Sequence, residues 1–124
     1  MSTPSVPDAV VENLRLLAAQ SDVQRDVFPR GVHLADEIAL SFHDVLVTWD
    51  PATRVDSVEA IYALDARLDA MSGPEQHALW TDEALERASE WAGVRKEAAE
   101  ILDRLGYGWR KPDPKGLNFF IDLD

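Results

Sequence analysis

Apolar residues along this chain recur mainly three and four positions apart, the period of an α-helix that buries one face. Pro7 and Asp8 open the first such segment, in which Val11, Leu14, Leu17 and Ala18 draw a narrow stripe. Ser21 is placed to cap a short second helix through Val27, and Phe28-Pro29-Arg30-Gly31 reads as a turn. A third helix begins near Val32, where Leu34, Ile38, Phe42, Val45 and Trp49 step by four, four, three and four. Leu40 and Val47 fall on its other side. Either both faces are covered, which makes this the central helix, or its end unwinds into a strand over Val45 to Trp49, where β-branched residues concentrate. Asp50-Pro51 ends the element in both cases.

Asp56 with Glu59 resembles a capping box ahead of a fourth helix with Ile61, Leu64, Leu68 and Met71 on one face. Ser72-Gly73-Pro74 stops that helix, and a short helical turn is expected from Pro74 to Trp80. Thr81 is a good N-cap, and Asp82 and Glu83 suit the positive end of a helix. The fifth helix is expected to be the longest, over residues 82–105, with Leu85, Ala88, Trp91, Ala92, Ala99, Leu102 and Leu105 sharing a face. Gly93 falls on the opposite, solvated face, and Gly106 is the C-cap. Tyr107 to Gly116 reads as a loop. Leu117 to Leu123 reads as a strand or extended segment, pairing either with residues 45–49 or across a homodimer.

The expected fold is therefore mainly α: a compact bundle of four to six helices with a C-terminal extended segment or short strand. A length of 124 residues suits a single helical domain over 1–124, with 1–7 a flexible arm and 107–124 a loop and extended tail. No internal repeat or low-complexity tract is present.

Composition narrows the chemistry. With no cysteine, the chain has no disulfide framework, thiolate zinc site or cysteine nucleophile. The first residues carry neither a basic start nor an apolar run, and no window approaches the ~20 apolar residues of a membrane span. Both observations lead to an expected cytoplasmic location. Twenty-three acidic against twelve basic residues give a formal charge of −11, which opposes binding to nucleic acid or to anionic membranes. The same charge favours a basic protein partner, besides keeping the chain soluble.

Candidate chemistry is sparse. His33 and Glu37 stand four apart on one helix, with Asp36 three from His33, a spacing that can present metal ligands. A site needs three or four, and His43 lies about 10 Å further along the axis than Asp36. His77 joins only if the chain folds back. Asp65 with Asp69 and other acidic pairs follow from the abundance of carboxylates on wet faces, and catalytic pairs need burial. No nucleophile elbow or glycine-rich phosphate loop occurs. Ala92-Gly93 can be read as the turn of a helix-turn-helix, but Glu97 and Glu100 on the second helix oppose phosphate. No cofactor is implied.

Among four tryptophans, Trp49 and Trp91 fall on apolar stripes and suit the core. Trp80, Tyr107 and Trp109 sit at element ends, where they staple loops or form an exposed interaction patch. The basic residues cluster once, at Arg104, Arg110, Lys111 and Lys115, a patch suited to neutralising the acidic body or seating an anion. In size and charge the chain is similar to the small acidic immunity proteins that neutralise basic toxins, without sharing a motif. Three readings result: a non-catalytic interaction protein, for example an inhibitor or immunity-like partner of a basic protein; a metal- or ligand-binding enzyme or sensor using His33, Asp36 and Glu37; and a homo-oligomeric accessory subunit.

Overall fold

A computed structural model of the chain describes residues 6–28, 33–49 and 56–112. Six α-helices and one 3-10 segment make up a helical bundle, and the described residues contain no strand. Helix α1 spans Asp8–Ala18, α2 Ser21–Val27, α3 Leu34–Thr48 and α4 Asp56–Ala70. A 3-10 segment at Pro74–Trp80 leads into α5 (Asp82–Arg87) and α6 (Ser89–Leu105). Helix α1 packs on α6 and α3, α4 packs on α6 and α3, and α5 touches α6, the 3-10 segment and α3.

The central helix is α1, not α3. Val10, Val11, Leu14, Leu16 and Leu17 are buried, and so are Glu12, Asn13 and Arg15. A narrow stripe cannot describe such a helix. Burial all round is possible because the polar members find partners inside. Asn13 donates to the carbonyl of Ala9 and accepts from the Ser41 hydroxyl of α3, both at 2.7 Å. Arg15 bonds Glu12 at 2.9 Å. Residues 6 and 7 do not belong to a loose arm: Val6 is buried in the core, and the Pro7 carbonyl accepts from the Val10 and Val11 amides.

The doubtful segment at 45–48 is helical. Val45 and Leu46 are buried against the bundle, and that burial outweighs β-branched propensity. Trp49 terminates α3 and stacks on Tyr62, with ring centres 5.8 Å apart. Leu40 and Val47 are exposed, so α3 is covered on one face only by the described residues. In α2, Gln20 holds the N-cap position and Ser21 is already helical, without a side-chain cap. Asp56 is likewise the first residue of α4.

The stretch 82–105 is two helices. Ala88 takes an extended backbone, φ −70° and ψ 139°, between α5 and α6. In one unbroken helix Leu85 and Trp91 would sit about 120° apart around the axis. The break lets both enter the core, with Leu85 0% and Trp91 1% exposed. Arg95 then donates to the Leu85 carbonyl at 2.9 Å, across the bend. The buried face of α6 is Trp91, Val94, Ala98, Ile101, Leu102 and Leu105, while Ala92 and Ala99 are exposed. The larger residues set the face, because they remove more apolar area from water than alanine does. Helix α6 runs unbroken through Gly93, where no turn occurs. Gly93 is not simply solvated: the Arg67 guanidinium of α4 lies over it and pairs with Glu97 at 3.0 Å.

Two terminal signals appear as the pattern requires. Thr81 caps α5 by accepting from the Ala84 amide at 3.1 Å. Gly106, at φ 84°, closes α6 with the Tyr107 amide on the Leu102 carbonyl at 2.9 Å, a Schellman motif. The expected strand at 117–123, and the homodimer through it, lie outside the described residues.

Candidate functional site

The basic, aromatic tail is where a site was expected; the structure ties it to α1 by hydrogen bonds and ion pairs, while Tyr107 and Trp109 stay exposed. Trp109 donates its indole N–H to the Arg15 carbonyl at 2.8 Å. Arg15 in turn donates to the Gly108 carbonyl at 3.2 Å and lies 5.7 Å from the centre of the Tyr107 ring. Arg110 pairs with the buried Glu12, and Lys111 reaches Asp26 at 3.4 Å. The strap thus supplies a donor to one carbonyl in the last turn of α1, where carbonyls lack partners within the helix. Its two described cations, Arg110 and Lys111, both reach carboxylates of the body and remain more than half exposed. Trp80 does not join Tyr107 and Trp109: it lies edge-on to Trp91 at 5.3 Å and donates to the Met71 carbonyl at 2.9 Å. The three aromatics therefore form no common patch. Tyr107 and Trp109 instead border a shallow depression beside Lys96, Glu100 and Asp103.

The larger concavity is elsewhere, between α3, the end of α4 and the 3-10 segment. Two adjoining clefts of about 680 and 310 Å³ share Asp36, Ser72 and Trp80. The first adds His33, His77 and Asp82, and the second adds Leu40, His43, Asp65 and Asp69. All three histidines of the chain thus line one groove. Gly73, at φ 124°, turns the chain after α4 and leads His77 back towards α3. This is the folding-back on which a role for His77 depended. Glu37 does not line the groove. Among the described residues no three His, Asp or Glu side chains stand close enough together to hold a metal ion. His33, Asp36 and His77 share a cleft wall without forming a coordination sphere.

One contact spans the groove. His43 Nδ1 of α3 meets Asp65 Oδ2 of α4 at 3.0 Å. The hydrogen bond that His43 donates to Asp65, and the charge of that carboxylate, hold the His43 pKa above the ordinary value of about 6.5, with Asp44 and Asp69 adding to the rise and burial opposing it. His43 is half exposed and Asp65 only a fifth exposed, so the imidazole lies outside a more sheltered carboxylate.

Electrostatically the groove is one-signed. Asp36, Asp65, Asp69 and Asp82 line it, and no lysine or arginine does among the described residues. Its apolar part is a strip of Ala39, Leu40 and Leu68 beside Trp80. Asp36, Leu40, His43 and Val47, at steps of four, three and four, form the outward stripe of α3. That stripe is visible in the sequence, but its partner row, Asp65 and Asp69 of α4 with Ser72 just beyond it, becomes adjacent only when the helices pack. No family model matches the chain, and no curated protein or solved structure is detectably similar to it.

Proposed function

We propose that this protein is a non-catalytic interaction protein whose groove between α3 and α4 receives a basic segment of a partner protein. The observation that carries this reading is the gathering of four aspartates around an apolar strip with no lysine or arginine in the lining. Small-molecule sites enclose most of their ligand and are lined mainly by apolar groups. This groove is open, and carboxylates, imidazoles and hydroxyls edge its apolar strip, which suits side chains presented by another surface. Exposed Leu40 and Val47, one heptad apart on α3, offer two apolar contacts about 10 Å apart. A helix bearing two apolar residues at that spacing, flanked by lysine or arginine, matches both features. The net charge of −11 adds long-range steering of such a partner. The lack of cysteine suits an encounter in the reducing cytoplasm, as for an inhibitor of a basic protein.

The test is titration of a labelled lysine-rich helical peptide, carrying two leucines a heptad apart, monitored by fluorescence polarisation and by backbone amide shifts. Binding should perturb amides of α3 and the end of α4 and weaken steeply with salt. Leu40→Gln together with Val47→Gln should weaken it by at least tenfold, since both side chains are exposed, their replacement leaves the core intact, and glutamine removes the apolar contacts without adding charge. Shifts centred on other helices, or affinity indifferent to the double substitution, would refute the reading.

A further inference from the structure

Asp65 is the most sheltered carboxylate contact described in the groove, and His43 is placed across it from the opposite helix. A cationic side chain entering the groove meets the same oxygen that His43 occupies. Two cations cannot share it without repulsion, and an imidazolium cannot accept a hydrogen bond from lysine or arginine. A neutral imidazole has no positive charge to repel the incoming cation, and its second tautomer leaves the Asp65 oxygen to another donor. Resting on the reading of the groove as a site for a basic segment, we propose that Asp65 receives a lysine or arginine of the partner and that His43 is its proton-operated latch. Protonated His43 closes on Asp65; neutral His43 yields it.

The groups facing His43 all bear on the sign. From α3 they are Asp36 and Asp44, from α4 Asp65 and Asp69, and beyond them Asp82 with His33 and His77 on the far wall. The near neighbours are anionic, so they favour the protonated latch, and the raised pKa of His43 is consistent with that. Seating the partner's cation on Asp65 takes the hydrogen-bond acceptor from His43 and weakens the negative field around it, which disfavours the proton. Binding is therefore coupled to release of up to one proton from His43. Affinity rises by up to about tenfold per pH unit below the His43 pKa and levels off above it.

The decisive comparison uses the same labelled lysine-leucine peptide with the wild-type protein and His43→Gln from about pH 8.5 to about pH 5.5, above the range where ordinary carboxylates titrate. Glutamine keeps a hydrogen-bonding group of similar reach but cannot take a proton, and position 43 is exposed, so folding is not at stake. The two proteins should bind equally at the alkaline end. At the acid end His43→Gln should bind more tightly, by roughly the fold that the wild type loses to one proton. Imidazole NMR should show the His43 pKa falling when peptide saturates the groove. Identical pH profiles for the two proteins, or a His43 titration unmoved by peptide, would overturn the latch while leaving the groove reading intact. Absence of peptide binding at pH 8.5 would instead remove both.

Discussion

At the scale of single residues, His43 also reports on folding. Its pKa is raised in the native state, so the native state holds the proton more tightly than the unfolded chain. The stabilisation is fully present below the unfolded value of about 6.5 and disappears as pH rises through the folded value. The pair is largely exposed, which limits the effect to under about 1 kcal/mol. Thermal melts should show His43→Gln less stable than the wild type near pH 6 and indistinguishable near pH 8.5. A deficit that persisted at alkaline pH would mean that His43 contributes through packing rather than through its charge. This experiment needs no ligand and is independent of the latch. His33 and His77, on the same groove, were not linked by spacing because forty-four positions separate them. The turn at Gly73 brings them together, and a sequence pattern has no means of registering such an approach.

At the scale of elements, the tail strap and the α5–α6 break show how carbonyls at helix ends choose their partners. The Leu16 carbonyl accepts from the Gln24 side chain at 2.9 Å, and the Arg15 carbonyl accepts from Trp109. Trp109→Ala should cost about 1–2 kcal/mol, from one hydrogen bond and a half-buried ring. Hydrogen exchange should quicken at the Tyr107 amide, which donates to the Leu102 carbonyl where the strap leaves α6, and stay unchanged in the middle of α4. Unaltered protection of the strap would show that the Arg110 and Lys111 pairs hold it without the indole. The Thr81 and Gly106 caps were legible because capping depends on residues within one turn. The break at Ala88 was not, since no local residue forbids a helix there. It follows from the need to bury Leu85 and Trp91 together.

At the scale of the whole molecule, charge is the dominant long-range feature. The exposed pairs Arg25–Glu86, Arg67–Glu97 and Lys111–Asp26 are each worth about 0–1 kcal/mol. Each pair sums to zero, so the total stays at −11, and the unbalanced carboxylates repel one another across the native surface. Raising sodium chloride from about 10 mM to about 0.5 M shortens the screening length from about 30 Å to under about 5 Å. The melting temperature should rise by several degrees as repulsion is screened. A fall would show that the ion pairs outweigh the repulsion. The same salt that stabilises the fold should weaken the basic partner, and this opposition separates binding from folding in any salt series.

Hydrophobic period, caps and composition settled the helical class, the identity of the α3 and α4 stripes, the 3-10 turn and the acidic character of the surface. These depend on residues close in sequence, or on the chain as a sum. Tertiary structure alone decided that α1 is the buried centre, because Glu12, Asn13 and Arg15 look like surface residues until Arg110 and Ser41 reach them. It also decided that Arg110 and Lys111 reach Glu12 and Asp26 of the body, and that Asp36 of α3 and Asp65 and Asp69 of α4 line one groove. The reason is common to all three: the energy of a charge or a buried polar group is set by its neighbours in space, and those neighbours stand far apart along the chain.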